Sequence, residues 1–490
     1  MTLTSIARVG LLAGSVLLSV PCGVGLAQRA GEEPIIFTAQ NGETADAFRG
    51  QFLVPENRAD PDSRMITISY VRFAATGPQS GPPIIYLAGG PGGSGSGTAQ
   101  GRRFPLFMAM REHGDVIAFD QRGTGSSEQP PTCVSSEVPD PAGPASDLDV
   151  AASYRAALDE CAGFWQAEGV DLLGYTTRQS VADLSDLRTH LGADSVVLWG
   201  ISYGSHLALA ALNERPDEID RVIIASAEGL DQTVKLPART DAYFERLQAA
   251  VDSQPEAAAL YPDIAGLMRR VHARLEVEPV LLDVPSPDGR SQPLLLQRSH
   301  LQQLSSALIA DPSNAAMLLD LYGRLDQGDP SLVIALLSYF GGVGEPVSLR
   351  AMPTAMDMAS GISAERRALF ERQAPDGLIG RYLNFPMPQL DNALPGLDLG
   401  TDFRRGPVGG TPLLLLTGTL DGRTYPEGQS EAVAGLTGVT QVTVRNAGHN
   451  LFMTSPEVAA VMGDFMRGDP VRTREIVVPL PDFTHHPMQR

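Results

Sequence analysis

The sequence predicts an α/β fold in which a mainly parallel central sheet is interrupted by an inserted, mostly helical cap domain. Short apolar runs alternate with helical stretches towards both ends of the chain, and this alternation stops in the middle. Several runs are apolar throughout, which is typical of strands buried on both faces of a parallel sheet. The runs are MITISYVRF (65–73), IIYLA (84–88), VIAFD (116–120), SVVLWG (195–200), RVIIASA (221–227), LLLLTG (413–418) and QVTVRN (441–446).

One helix between these strands is well marked in the segment SVADLSDLRTHLG. Ser180 and Asp183 have the spacing of a capping pair, and Gly192 follows the last turn as a stop signal. The apolar stripe of the predicted helix comprises Val181, Leu184, Leu187 and Leu191.

Residues 231–408 interrupt the pattern, because helical segments such as DAYFERLQAAVDS dominate there and strand-like runs are almost absent. The run at 413–418 then resumes the sheet. We therefore divide the chain into a signal peptide at 1–27, a first part of the core at 28–230, the cap at 231–408 and a second part of the core at 409–490.

The N-terminus has the composition of a secretory leader. Arg8 precedes an apolar segment at 9–20, and the small residues GLA at 25–27 offer a cleavage site before Gln28. About a dozen apolar residues are too few for a membrane span, which needs about 20. A lipid anchor on Cys22 is disfavoured because a proline precedes it. We expect a secreted or periplasmic protein without stable membrane association.

Composition argues against several kinds of partner. The formal net charge of -20 opposes binding to nucleic acid and to anionic membranes. The histidines are scattered and form no H-E-x-x-H motif, so we expect neither a metal nor another cofactor. Cys133 and Cys161 are the cysteines that remain after leader cleavage, and an oxidising compartment predicts a disulfide between them.

The strongest catalytic motif is G-x-S-x-G in LWGISYGSHLALAAL, formed by Gly200, Ser202 and Gly204. A buried strand leads into it and an apolar helix follows, which is the setting of a nucleophile elbow, a tight turn that exposes the serine hydroxyl above the sheet. We therefore predict that Ser202 is a nucleophile. The alternative is a turn serine that happens to be flanked by glycines.

A serine nucleophile needs a base and an orienting acid, which in this kind of domain follow it in the order acid, then histidine. His449, in VRNAGHNLF, lies in a loop directly after a late strand, whereas His206 lies in the helix after the elbow. Asp421, in LLLLTGTLDGRTY, ends the preceding strand, and an Asx turn is its alternative role. In the predicted triad, His449 transfers the proton of Ser202 and Asp421 orients the imidazole.

The glycine run YLAGGPGGSGSG at 86–97 first suggests a nucleotide site. Gly90, Gly92 and Gly95 spell G-x-G-x-x-G after a strand, and Asp120 ends the next strand, as in a dinucleotide-binding loop. A dinucleotide-binding loop is expected in the first strand unit of a chain, whereas here another strand-like run precedes the strand that leads into the loop. A nucleotide site also leaves the serine, aspartate and histidine motifs unexplained.

The same loop is suited to an oxyanion hole. Two backbone N–H groups are needed, one from the residue after the nucleophile, Tyr203, and one from a loop after an early strand. Pro91 has no N–H to donate, so we assign the second donor to Gly90.

Five motifs, in this order, resemble those of the α/β-hydrolase serine aminopeptidases, which include prolyl aminopeptidases and secreted tripeptidyl aminopeptidases. They are GGPGGSG (89–95), DQRGTGSS (120–127), GISYGS (200–205), LDGRT (420–424) and GHN (448–450). The resemblance covers roughly residues 50–230 and 410–470. It implies an α/β-hydrolase fold, a triad of Ser202, Asp421 and His449, and an oxyanion hole formed by Gly90 and Tyr203.

The resemblance further implies a peptide substrate with a free N-terminus. Relatives bind the substrate amine with carboxylates near the cap, for which Glu228 and Asp231 are candidates by position, although both could equally be solvated loop acids. In the family, the residues equivalent to Asp120 and Arg122 chiefly brace loops. Ala88 stands where prolyl aminopeptidases often have histidine, which favours the tripeptidyl-like branch.

Two alternatives to an aminopeptidase follow from the residues. A carboxylesterase would use the same triad, because the acyl-transfer machinery is shared and the fold does not decide between them. A catalytically silent binding protein would be expected to have lost part of the triad, and no part is missing.

Overall fold

A central sheet of ten strands organises the part of the chain that the computed structural model describes, which comprises residues 28–29, 31–77, 81–285, 290–486 and 488. The predicted signal peptide and Cys22 lie outside the described residues. The strands, including four in two small ladders, are β1 (Glu33–Thr38), β2 (Thr44–Pro55), β3 (Met65–Phe73), β4 (Ile84–Leu87), β5 (Val116–Asp120), β6 (Cys133–Val134), β7 (Val196–Ser202), β8 (Ile219–Ala227), β9 (Val280–Pro285), β10 (Ser291–Leu296), β11 (Ser348–Leu349), β12 (Leu413–Gly418), β13 (Val439–Arg445) and β14 (Glu475–Val477).

The sheet is parallel over most of its width. Its strand order is β1-β2-β3-β5-β4-β7-β8-β12-β13-β14. Strands from β5 to β14 in this order pair in parallel, whereas β1, β2 and β3 form an antiparallel edge that pairs with β5. The prediction of a mainly parallel sheet is confirmed, and all seven predicted runs are strands of it.

Helices cover both faces of the sheet. They are α1 (Gly95–Gln100), α2 (Phe104–Met110), α3 (Asp147–Ala167), α4 (Thr177–His190), α5 (Tyr203–Glu214), α6 (Pro237–Asp252), α7 (Pro255–Leu260), α8 (Ile264–Val277), α9 (Arg298–Leu308), α10 (Pro312–Asp326), α11 (Ser331–Phe340), α12 (Ala351–Ser360), α13 (Ala364–Gln373), α14 (Met387–Leu390), α15 (Gly400–Arg404), α16 (Pro426–Ala432) and α17 (Pro456–Arg467). Along β7, Leu198 belongs to the core cluster that contains α4 and α5, and Trp199 to the cluster that contains α2 and α17. This alternation follows from the two-residue period of a strand.

Helix α4 begins earlier than its predicted capping pair. Thr176 is the N-cap residue, so Ser180 lies inside the helix and the predicted pairing of Ser180 with Asp183 was wrong. Asp183 is fully buried and instead binds two arginines, Arg122 and Arg58. A buried carboxylate requires such a partner, which explains why it is not available as a cap.

The segment between β8 and β12 contains helices α6 to α15 and the antiparallel pair β9 and β10. Many of its side chains form a hydrophobic cluster of their own, including Phe244, Leu304 and Leu318. The predicted boundaries at 230/231 and 408/409 fall in the connections at its two ends, and the division into core and cap stays a prediction.

A two-residue strand pair attaches this segment to the part of the chain before β8, and a disulfide within that part holds one of the two strands. Strand β11 pairs with β6, which lies outside the inserted segment. Cys133 on β6 and Cys161 on α3 are joined by a disulfide. Directly after β11, the start of α12 packs against the loops that follow β4 and β5, since Gly92 and Gly123 lie against Pro353 and Met352 of that helix.

The described residues offer neither a membrane-spanning helix nor a cluster of metal ligands. None of their helices is both long enough and apolar enough to cross a membrane. Nor do they contain a cluster of three or more His, Cys, Asp or Glu side chains placed to hold a metal ion.

Candidate active site

Ser202 occupies a strained turn between β7 and α5. Its backbone has φ 54° and ψ -128°, a region that residues other than glycine rarely adopt unless the surrounding structure enforces it. The flanking glycines are required sterically. A Cβ atom on Gly200 would lie 2.5 Å from the carbonyl oxygen of Gly204, and one on Gly204 would lie 2.0 Å from the carbonyl oxygen of Leu87. The turn has the geometry of a nucleophile elbow.

His449 and Asp421 lie side by side at the ends of two neighbouring strands. Nδ1 of His449 is 3.1 Å from both carboxylate oxygens of Asp421. Asp421 also accepts hydrogen bonds from the backbone N–H of Arg423 (2.8 Å), the backbone N–H of Thr424 (2.9 Å) and the hydroxyl of Thr424 (2.7 Å). A proton on Nδ1 therefore has a fixed acceptor, which leaves Nε2 free to take a proton from a nucleophile.

The electrostatics of Asp421 favour its ionised form. Burial of the side chain alone would raise its pKa. The adjacent His449 and the donated hydrogen bonds outweigh that effect, so the pKa of Asp421 lies below its usual value. The carboxylate is thus charged at neutral pH even though its side chain is fully buried.

The loop of His449 is held from two sides. The backbone N–H of His449 donates to the carbonyl of Ala310 (2.8 Å), and its carbonyl accepts from the hydroxyl of Ser226 (2.8 Å). Asn450 binds Asp311 through its backbone N–H (3.1 Å) and its side-chain amide (2.9 Å). Ala310 and Asp311 belong to the inserted segment, between α9 and α10, and sequence reasoning did not identify them.

Ser202 and His449 line one pocket of about 440 Å³. The glycine loop forms another wall of this pocket through residues that include Gly90. Tyr203 begins α5, and the first N–H groups of a helix have no partner within it. Ser202, His449, Asp421, Gly90 and Tyr203 are therefore brought together at one site.

The glycine loop is anchored by Asp120. One carboxylate oxygen accepts from the hydroxyl of Ser94 (2.7 Å) and the N–H of Ser96 (3.0 Å). The other accepts from the hydroxyl of Ser96 (2.6 Å) and the N–H of Ser126 (2.9 Å). These bonds bind the loop after β4 to the turn after β5. They also engage the carboxylate that a dinucleotide site would have used for a ribose.

Arg122 braces the same region from beneath. Its guanidinium is fully buried and donates two bonds of 2.7 Å to Asp183 and one of 2.6 Å to the carbonyl of Glu56. It also bonds to the carbonyl of Gly174. A buried charge needs this degree of pairing, and the result is a rigid support for the turn at 120–127.

A group of buried charges lies next to the nucleophile turn. Glu228 pairs with Lys235, the only lysine in the sequence, at 2.6 Å, and its N–H donates to the hydroxyl of Ser205 (2.9 Å). Asp357 of α12 has no ion-pair or hydrogen-bond partner for its carboxylate among the described residues. Burial, followed by the charge of Glu228, raises the pKa of Asp357 well above its usual value.

Asp231 has a structural role instead. Its carboxylate binds the backbone N–H and the hydroxyl of Ser363, the residue that caps α13. Of the two carboxylates considered from the sequence, Glu228 therefore lies in the charged group and Asp231 does not. Asp357 was missed because nothing in its local sequence distinguishes it from other acids of a helix.

Known proteins resemble this chain at the level of a family and, over shorter stretches, of single relatives. A protein-family model described as "alpha/beta hydrolase fold" matches residues 82–456. The chain is 30% identical over 192 residues to a tripeptidyl aminopeptidase of Streptomyces coelicolor, 29% over 187 residues to the serine protease Hip1 of Mycobacterium tuberculosis, and 31% over 138 residues to a proline iminopeptidase of Xanthomonas citri. These matches cover 36%, 37% and 28% of this chain and 34%, 36% and 30% of the relatives. The matched region thus spans about a third of each relative.

Proposed function

Because the chain belongs to the α/β-hydrolase fold family, we propose that it is a serine peptidase that releases residues or short peptides from the free N-terminus of peptide substrates. The observation that carries the proposal is the arrangement of Ser202. It has a strained backbone, lies between two sterically required glycines and shares a pocket with His449, which is bonded to buried Asp421. The peptidase names of the relatives support the choice of substrate class.

The proposed reaction has two acyl-transfer steps. Oγ of Ser202 attacks the substrate carbonyl carbon while His449 takes the hydroxyl proton, and Asp421 stabilises the imidazolium. Collapse of the tetrahedral intermediate breaks the C–N bond, and His449 returns the proton to the leaving amine. Water then attacks the acyl-enzyme in the same way, which releases the N-terminal fragment and restores Ser202. The backbone N–H groups of Gly90 and Tyr203 stabilise the negative oxygen in both steps.

The amine of the substrate would bind at the charged group beside the nucleophile turn. Glu228 is already paired with Lys235, whereas no cation among the described residues lies within ion-pair distance of Asp357. A carboxylate with a raised pKa gains most from an incoming positive charge, because that charge stabilises its ionised form. Asp357 lies one helical turn after Pro353, which contacts Gly92 of the glycine loop, so this face of α12 is turned toward the site. We assign the amine contact to Asp357.

The disulfide supports the proposed location of the protein. Disulfides persist in secreted and periplasmic proteins and are rare in reducing compartments. Cys133 and Cys161 therefore agree with a secreted or periplasmic enzyme.

A comparison of three substrate types tests the function. Peptide p-nitroanilides with a free amine, their N-acetylated forms and simple p-nitrophenyl esters are given to the wild type, Ser202→Ala and Ser253→Ala. Ser253 is exposed at the end of α6 and serves as the matched serine control. We expect cleavage of the free-amine peptides above all, loss of at least about 1,000-fold in Ser202→Ala, and no change in Ser253→Ala.

The outcomes separate the candidate functions. Cleavage of esters without cleavage of free-amine peptides would make the protein a carboxylesterase with the same triad. Equal cleavage of acetylated and free-amine peptides would show that the enzyme does not require a free N-terminal amine. Full activity in Ser202→Ala would refute the mechanism for either substrate.

A further inference from the structure

Arg103 places a positive charge in the pocket of Ser202. Its side chain is partly buried and lines the same cavity as Ser202 and His449. No carboxylate lies within ion-pair distance of it among the described residues. An unpaired guanidinium beside a nucleophile is unexpected in a chain with a formal charge of -20, which offers many acidic partners.

The guanidinium is held in place by neutral groups. It donates to the hydroxyl of Tyr86 and to the side-chain oxygen of Asn450 (3.2 Å). Its carbon lies 5.4 Å from the ring centre of Phe452 and 5.9 Å from that of Tyr86. The carboxylate of Asp311 binds the other end of the Asn450 amide, so acid and guanidinium are bridged by that amide and do not pair. The charge is oriented but not neutralised.

The position of Arg103 identifies the side of the pocket on which it acts. Asn450, its bonding partner, directly follows His449 in the chain. In this mechanism the histidine returns its proton to the leaving amine, so the leaving group departs on the histidine side. The guanidinium therefore lies where the leaving group passes, on the side of the pocket that Asn450 shares with His449.

We propose that Arg103 binds a carboxylate carried by the leaving group, so that the preferred substrates are peptides with a negative charge just after the scissile bond. The proposal rests on the proposed peptidase function. Two sources supply the same chemistry: the α-carboxylate of a short leaving group, or the side chain of an acidic residue that follows the bond. A guanidinium binds either one with paired, charge-assisted hydrogen bonds.

Four short peptides with free amines distinguish these sources. The first ends in a free carboxylate one residue after the cleaved bond, and the second is its C-terminal amide. The third and fourth are amides with glutamate or glutamine directly after the bond. Cleavage is followed by mass spectrometry, which also identifies the bond that is cut. We expect kcat/KM to favour the free acid over its amide, the glutamate peptide over the glutamine peptide, or both, by about 10- to 100-fold.

Arg103 variants connect this preference to the side chain. Arg103→Gln should reduce the preference ratio to near one, and Arg103→Lys should keep part of it. Arg102→Gln is the matched control, because Arg102 is exposed and does not line the pocket, and its ratio should equal that of the wild type. In the wild type the preference ratio should fall as the salt concentration is raised, because the pocket is open to solvent and dissolved ions screen the attraction between the guanidinium and the carboxylate.

Several results would overturn the proposal. Equal cleavage of charged and neutral peptides by the wild type would refute the carboxylate site and leave the peptidase function intact. An equal loss on all four peptides in Arg103→Gln would show that Arg103 only positions the loop of Asn450. Failure to cleave any of the four peptides would refute the peptidase function and the carboxylate site together. The wild-type ratio and its salt dependence remain decisive if Arg103→Gln does not fold.

Discussion

Replacing Gly204 with alanine should displace the nucleophile, Ser202, relative to the rest of the site. The new Cβ would lie 2.0 Å from the carbonyl oxygen of Leu87, 2.7 Å from its carbonyl carbon and 3.0 Å from the carbonyl oxygen of Ala88. All three atoms are backbone atoms at the end of β4, so no flexible side chain can move away. Either α5 or the end of β4 must shift.

The size of the shift follows from these distances. Ordinary van der Waals contact begins near 3.4 Å, so the closest pair must separate by about 1.4 Å, the difference between 3.4 Å and 2.0 Å. Overpacking of this kind costs about 1–3 kcal/mol in the free energy of unfolding. Ser202 lies two residues before Gly204, and Gly90 follows β4, so the same shift moves the nucleophile relative to the predicted oxyanion donors. A displacement of about 1 Å can lower the rate about 100-fold.

Gly163→Ala is the matched control. Gly163 lies within α3, has ordinary backbone angles and would have no neighbour within 4 Å of a Cβ atom. We expect this variant to keep full activity and to gain up to about 1 kcal/mol in the free energy of unfolding, because alanine favours a helix. Urea denaturation and kcat/KM on a fluorogenic peptide measure both effects. A Gly204→Ala enzyme within twofold of wild-type kcat/KM and within about 0.5 kcal/mol of its stability would refute the steric argument, since overpacking is expected to cost more.

Three further predictions concern single side chains. Asp421→Asn should lower kcat by about 10,000-fold, because the amide favours the wrong imidazole tautomer, and the circular dichroism spectrum should be unchanged. A loss of less than tenfold in steady-state kinetics would contradict the triad. Asp357→Asn should lower kcat/KM about tenfold or more for free-amine peptides but not for p-nitrophenyl esters, and equal losses on both would remove its amine-binding role. Burial lowers the pKa of His272 from 6.5 to about 4. As the pH falls, the His272 imidazole therefore takes up a proton in the unfolded chain before it does so in the folded chain. The free energy of unfolding should fall as the pH drops from 6.5 towards 4. Urea titrations should show a smaller fall in His272→Gln, and an identical fall would refute the assignment.

Buried parallel strands were the part of the fold most readily predicted. Strands β4, β5, β7 and β12 begin with continuous apolar runs and are buried almost throughout, because both of their faces are covered by helices. Strands β1 and β2 were missed. They form the antiparallel edge and alternate between buried and exposed positions, so they lack a continuous apolar run.

The residues of the candidate site were predicted because each belongs to a local motif at the end of a strand. Ser202 needs glycines at fixed positions around it, Asp421 and His449 follow adjacent strands, and parallel strands place such ends at one edge of the sheet. Their catalytic roles stay predictions, whereas their proximity is a property of the structure.

The sequence alone thus determined the α/β architecture and the chain order of serine, aspartate and histidine, since both depend on patterns of a few consecutive residues. Only the tertiary structure decided which distant groups lie near them: Asp311 against the histidine loop, Arg103 beside it, and Asp357 close to the charge of Glu228 near the nucleophile turn. These contacts join segments far apart in the chain. Their formation depends on how distant segments of the chain pack together, and no local periodicity records that packing.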